Sequence, residues 1–287
     1  MNINATRWFS DLPAQSYTQP TRDGQANTYD LGRYTLFFHP PWEPKPTPGP
    51  ASRSQVSRGP RQGAYEVIFV NGIKCNPEKH VMQALSVSAV SGGPVKGIFN
   101  QSDGLAADLR QSLDDKLTSS LLMKLRATRK YIYGDEATKR VLSRHLRQYN
   151  AASAALFDTL TERHLGGVRI VAHSQGNIIT CNAINALIAL RGVEALGNLR
   201  VYALATPVTF WGEAKRIVKE YKFSNDAIAW LSLHGGFQAG HGAGWKAVGR
   251  RGSHVITGYE KSRLNRCTHS FYIYLHKLWN ELRVEFP

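Results

Sequence analysis

The chain has 287 residues and carries 36 Lys and Arg against 21 Asp and Glu, a formal net charge of +15. That length suits one large α/β domain or two small ones, and such a chain buries about three quarters of its extended surface without help from a metal or crosslinks. Three cysteines, an odd count, argue against a disulfide framework, and no run of about 18 apolar residues offers a membrane-spanning helix.

Met1 to Leu12 has polar and charged residues throughout and lacks the apolar segment of a Sec signal. Synthesis in the cytoplasm is therefore expected, with any export using a route that needs no cleaved signal. Up to about residue 27 the chain has no clean period. Tyr29 to Phe38 alternates weakly and predicts an edge strand. In the following His39 to Pro50, proline recurs at nearly every second position, which removes ladder donors and gives an extended connector. Residues 1–63 are accordingly read as a polar, proline-rich extension and linker, and 64–287 as the folded α/β domain.

Tyr65 to Val70 is β-branched and aromatic without alternation, as in a strand covered on both faces, and it stops at Asn71-Gly72. Pro77 to Ala89 predicts a helix and Val95 to Asn100 a second strand. A long helix capped by Ser102 or Asp103 follows, with leucines spaced by four from Leu105 to Leu125. A further helical stretch runs from about Glu136 to Arg163. Next come the strand Val168 to Ala172, a turn holding Ser174, and an apolar helix through Ile178 to Leu190. Leu199 to Ala205 predicts a strand, Phe210 to Glu220 a helix, and Lys222 to Asn225 the close of a short strand. Leu233 to Trp245 is glycine-rich and predicts a loop, with Gly235 to Gly244 as candidate lid. Trp245 to Val248 and His254 to Thr257 suggest a hairpin, and a last helix is expected from about Ser270 to Leu282. Alternating strands and helices imply a mainly parallel sheet flanked by helices.

The chemistry is concentrated around Ala172-His173-Ser174-Gln175-Gly176. A strand, a tight turn carrying serine and a helix make a nucleophile elbow, and the small residues two before and two after the serine allow strand and helix to approach. Ala172 stands where the pattern G-x-S-x-G has its first glycine. A serine hydroxyl needs a base, and the base needs an orienting acid. Asp226, directly after a strand, is the acid candidate, with a helix N-cap as its structural alternative. For the base, His269 in Cys267-Thr268-His269-Ser270 is placed ahead of His254 and His241. His234 lies in the same glycine-rich stretch as His241, His276 inside the final helix is read as packing, and His173 as structural. The oxyanion donors are expected from the backbone of Gln175 and of the loop holding Gly72 and Ile73. Cys75, Cys181 and Cys267 are read as reduced thiols at or near the core.

The elbow, together with the chain order Ser174, Asp226, His269, resembles the α/β-hydrolase superfamily over roughly residues 64–287. Phe69-Val70-Asn71-Gly72-Ile73, Gly97-Ile98-Phe99-Asn100, Ala172 to Asn177 and Cys267-Thr268-His269-Ser270-Phe271-x-x-Tyr274 resemble bacterial lipase-like hydrolases without a Sec signal, some of them type VI secretion lipase effectors. The resemblance implies a serine esterase with the α/β-hydrolase fold, cutting an acyl ester of a phospholipid or other lipid with no cofactor and no metal. It also implies a secretion or immunity partner. The basic surface suits peripheral contact with an anionic membrane, since residues 200–266 hold 11 Lys and Arg against 4 Asp and Glu, a net +7. Two other readings stand beside it. One is a non-catalytic hydrolase-like module that binds a protein or a membrane. The other is a nucleic-acid binder, which only charge supports, because no helix-turn-helix, RNP or zinc pattern accompanies it.

Overall fold

In the computed structural model of the protein the described residues are 19–30, 66–101, 136–162, 165–208, 211–223, 226, 253–256, 269–272 and 274–275. They contain seven strands: β1 (Ala26–Tyr29), β2 (Glu66–Val70), β3 (Val95–Ile98), β4 (Val168–His173), β5 (Arg200–Leu204), β6 (Val218–Phe223) and β7 (Ser253–Ile256). These form one sheet in the order β1-β3-β2-β4-β5-β6-β7. Only β1 runs antiparallel to its neighbour; every other adjacent pair is parallel. The helices are α1 (Pro77–Ser91), α2 (Glu136–Tyr149), α3 (Ala151–Thr161) and α4 (Gly176–Arg191).

The period of two along each central strand sorts its side chains into two cores. Ile68 and Val70 of β2, Ile170 and Ala172 of β4, and Val201 and Ala203 of β5 meet α2, α3 and α4 on one face. Val67, Phe69, Val171, Tyr202 and Leu204 point the other way, toward α1 and Phe271, Tyr274 and Leu275. With both faces covered, the strands read as unbroken apolar runs. Helix α4 is buried along its whole length from Gly176 to Leu190, which explains why the segment after the serine lacks a polar stripe.

The strand order has a consequence for the site. From β2 the chain proceeds to β3 on one side, whereas from β4 it proceeds to β5, β6 and β7 on the other. Adjacent strands β2 and β4 thus flank the point where the direction of winding reverses, and in open α/β sheets ligands bind beyond the carboxyl ends of such strands. Val70 of β2 pairs with Ala172 of β4, so Asn71-Gly72 and Ser174 leave the sheet side by side.

Several expectations need correction. Within the supposed irregular extension, Ala26–Tyr29 is the antiparallel edge strand, in register with Val95–Ile98. Gly24 N–H donates to the Phe99 carbonyl at 2.8 Å, and Tyr29 is buried. The sheet therefore draws on residues before 64. Glu136 to Arg163 is not one helix: Asn150 is extended (φ −157°, ψ 116°), and its side chain accepts from Ala152 N at 2.8 Å and Ser153 N at 3.2 Å, starting α3 afresh. Phe210 to Glu220 is not helical throughout. A 3-10 turn over Gly212–Ile217 gives way to β6, already begun at Val218. Ser253–Ile256, one half of the expected hairpin, pairs parallel with β6. The Ser102–Leu125 helix, the proline-rich connector, residues 31–38 of the expected edge strand, the Trp245–Val248 piece and the Gly235–Gly244 lid lie outside the described residues. None of the described helices is long and apolar enough to cross a membrane.

Because Asn150 satisfies two orphan N–H groups at the buried start of α3, Asn150→Ala should lower stability by about 1–2 kcal/mol. The shift in urea midpoint measures this, and an unchanged midpoint would remove the cap from the account.

Candidate active site

Ser174 follows β4 at once and has φ +55°, a left-handed backbone that L-residues adopt at a cost. Its surroundings over-determine that conformation. Ser174 N–H donates to the Leu204 carbonyl at 3.0 Å on the neighbouring strand. Asn177 Nδ2–H donates to both the Ser174 carbonyl (3.0 Å) and the Leu204 carbonyl (2.9 Å), tying the turn to β5 from the first turn of α4. Two glycines are required by contact. A Cβ on Gly176 would collide with the Val70 carbonyl, and one on Gly72 would lie 2.6 Å from Ser174 Cβ and 2.9 Å from the His173 carbonyl. The β2 loop is thus pressed against the serine.

The serine hydroxyl donates to His269 Nε2 at 2.7 Å. On the other side of the ring, His269 Nδ1–H donates to the Asp226 carboxylate, 3.0 Å from Oδ1 and 2.9 Å from Oδ2. The carboxylate settles the tautomer: Nδ1 carries the proton and Nε2 is left as acceptor for the serine. Asp226 is 1% exposed and Ser174 4% exposed. Asp226 also accepts from the Tyr274 hydroxyl at 2.7 Å. Residues 95 and 43 positions apart in sequence thus meet at hydrogen-bond distance. The structure brings Ser174, Asp226 and His269 together. His254 sits on β7 in register with Tyr221 of β6, three strands along from β4, and His241 lies outside the described residues.

His173 is buried beside the serine, and its Nε2–H donates to the His269 carbonyl at 3.0 Å. Burial, aided by the neighbouring His269, pushes its pKa down to about 3. A neutral ring with the proton on Nε2 anchors the backbone of His269 without adding charge next to the serine.

On the opposite side, the β2 loop is braced by a buried amide network. Asn71 Nδ2–H donates to the Gly72 carbonyl at 3.0 Å and the Asn100 carbonyl at 2.7 Å. Its Oδ1 accepts from Asn100 N–H at 2.9 Å and His80 Nδ1–H at 2.8 Å. Asn100 Nδ2–H then donates to Gln175 Oε1 at 3.0 Å. The two backbone segments expected to supply oxyanion donors, Gly72-Ile73 and Gln175, are therefore linked through Asn71 and Asn100. Gln175 immediately precedes the first residue of α4, where the helix dipole favours developing negative charge. His80 packs among Tyr29, Phe69 and Phe99, and burial pushes its pKa down to about 3.

Sequence reasoning assigned no role to the side chains of Asn71, Asn100, His80 or Tyr274. Asn71, Asn100 and Tyr274 stand in the quoted motifs, each at or just past a strand end or a few residues after His269. A polar residue closing an apolar run was the available signal. The Cys75 thiol is buried, and burial pushes its pKa up to about 12, far from the thiolate a nucleophile needs. Among the described residues no three His, Cys, Asp or Glu side chains converge to hold a metal ion. Compared with protein-family models, curated proteins and solved structures, the chain matches none.

Histidines held neutral in the fold but free to titrate when unfolded give a signed pH dependence. His80 and His173 are depressed in the folded state, so the unfolded chain takes up protons first as pH falls below about 6.5. Their contribution is complete above that pH and is lost progressively toward pH 3. The urea midpoint should fall between pH 7 and 5, and more shallowly in a His80→Gln variant; identical slopes would show that His80 is not held neutral.

Proposed function

We propose that the chain is a serine hydrolase of the α/β-hydrolase type, an esterase that cleaves an acyl ester through a covalent acyl-enzyme. One observation carries this reading: Ser174, in a left-handed turn between β4 and α4, donates to His269 Nε2 at 2.7 Å while His269 Nδ1–H donates to Asp226. The arrangement lies beyond the carboxyl ends of strands β2 and β4, where the sheet reverses its winding.

Each residue has a place in the reaction. Ser174 Oγ attacks the acyl carbonyl while His269 takes its proton. Asp226 keeps the ring in the reactive tautomer and stabilises the imidazolium. The oxyanion is received by backbone N–H groups of Gln175 and of Gly72 or Ile73. His269 returns the proton to the leaving alcohol, and the acyl bond to Ser174 is then cleaved by a water that His269 deprotonates. Carboxylic acid is released and the serine regenerated.

A lipid ester, with a phospholipid first, is the proposed substrate class. Support for it comes from the +15 net charge, which favours approach to an anionic surface, and from the resemblance of the elbow and the His269 motif to lipase-like hydrolases. The proposed encounter with an anionic membrane is peripheral.

A fluorophosphonate probe should label the folded protein at Ser174, and Ser174→Ala should abolish labelling. Ester hydrolysis should fall by roughly 10⁴-fold or more in that variant. Folded wild type that fails to label would favour a non-catalytic binding module. In a panel of phospholipid vesicles, wild type but not Ser174→Ala should release fatty acid; release from short soluble esters alone would move the substrate class away from lipids.

A further inference from the structure

We infer that Tyr274 is a positioning residue of this site: its phenol, seated on one oxygen of Asp226, keeps the acid ionised and turned toward His269. The inference rests on the hydrolase reading and adds a fourth side chain to it.

The geometry begins with the carboxylate. Asp226 is 1% exposed, and an ionised carboxylate at such depth is costly unless donors reach it. His269 Nδ1 lies almost equally far from both oxygens, 3.0 and 2.9 Å, so the ring alone does not choose between them. The last torsion of an aspartate is broad and nearly two-fold, so the side chain's own rotamer preference does not fix the plane of the carboxylate either. Tyr274 breaks the tie. Its hydroxyl donates to Oδ2 at 2.7 Å, the length of a charge-assisted O–H···O⁻ bond.

The phenol is itself fixed. Tyr274 is fully buried, and the rings of His173 and Tyr274 meet edge-on with centroids 6.3 Å apart. Tyr274 N–H donates to the Ser270 carbonyl at 3.3 Å, so the residue belongs to the first turn after the base. Base and phenol are five residues apart on one segment and grip the same carboxylate, so a shift of that segment carries both together. Among the described residues, His269 itself and His173 of β4 are titratable groups facing the pair, and Lys79 of α1 is a cation that acts on His173.

A hydrogen bond to the charged form favours that form. Without the hydroxyl, Asp226 binds a proton more readily, so the orienting charge beside His269 is lost at higher pH.

The test uses the full chain with a fluorophosphonate probe and a short soluble ester. Tyr274→Phe keeps the ring and deletes the donor. Loss of one bond to a charged group should lower kcat/KM about tenfold, through kcat with KM unchanged. The acidic limb of the pH–rate profile should move upward, with the urea midpoint reporting the fold separately. Fluorotyrosine placed at position 274 keeps the shape and strengthens the donor, and should move the limb downward; it also serves if the Phe variant does not fold. Wild type that labels at Ser174, with Tyr274→Phe or the fluorotyrosine protein unchanged in rate and pH profile, overturns this inference alone. Wild type that does not label overturns the hydrolase reading and this inference with it.

Discussion

The close approach of three backbone segments at Ser174 is the constraint on which the rest of the structure depends. The end of β2, the turn after β4 and the start of α4 come so near that Gly72 and Gly176 have no room for a Cβ. Any side chain at either position would push the β2 loop away from the serine or the helix away from the sheet. The strained φ of Ser174 is affordable because β5 and Asn177 hold the turn from two directions. With these segments in contact, the serine hydroxyl lies 2.7 Å from His269 Nε2.

Around that contact the protein buries many polar groups and connects most of them, while His80 Nε2, Asn100 Oδ1 and Asn177 Oδ1 have no hydrogen-bond partner among the described residues. Asn71 uses both amide hydrogens and its oxygen, linking the ends of β2 and β3 to α1 and, through Asn100, to the turn after β4. In a low-dielectric interior such a network is rigid when complete and costly when broken. The two histidines involved, His80 and His173, are kept neutral by burial and act as shaped donors. A ring N–H and a phenol are among the groups that answer the Asp226 carboxylate. The result is a site whose polar groups are oriented before a substrate arrives.

Much of this was legible in the sequence where packing leaves a periodic trace. The apolar runs of β2 and β4, the small residues about Ser174 and the unbroken apolar face of α4 are the direct imprint of burial on both sides of a parallel sheet. Ala26–Tyr29 left no such imprint, because an edge strand of four residues that buries only Tyr29 has no period to detect. In β6, Val218-Lys219-Glu220-Tyr221-Lys222-Phe223 contains charged residues that favour helices, and pairing with β5 overrides that preference. Asn150 looked like one more polar position in a helical run, and only its extended backbone reveals the cap. At the site, order along the chain pointed to Ser174, Asp226 and His269. The side chains of Asn100, His80 and Tyr274 join elements far apart in sequence, and no local pattern encodes such a meeting.

The 95-residue separation of Ser174 from His269 bears on how the proposed site is assembled. A loop of that length closes at an entropic cost that local elements do not bear, and long-range contacts form late when they depend on a preassembled sheet. The pairing of β2 with β4 spans 102 residues, a closure of similar length, so sheet and site are both built from contacts distant in sequence. In the proposed hydrolase the serine gains its proton acceptor only when the two far ends of this span have met.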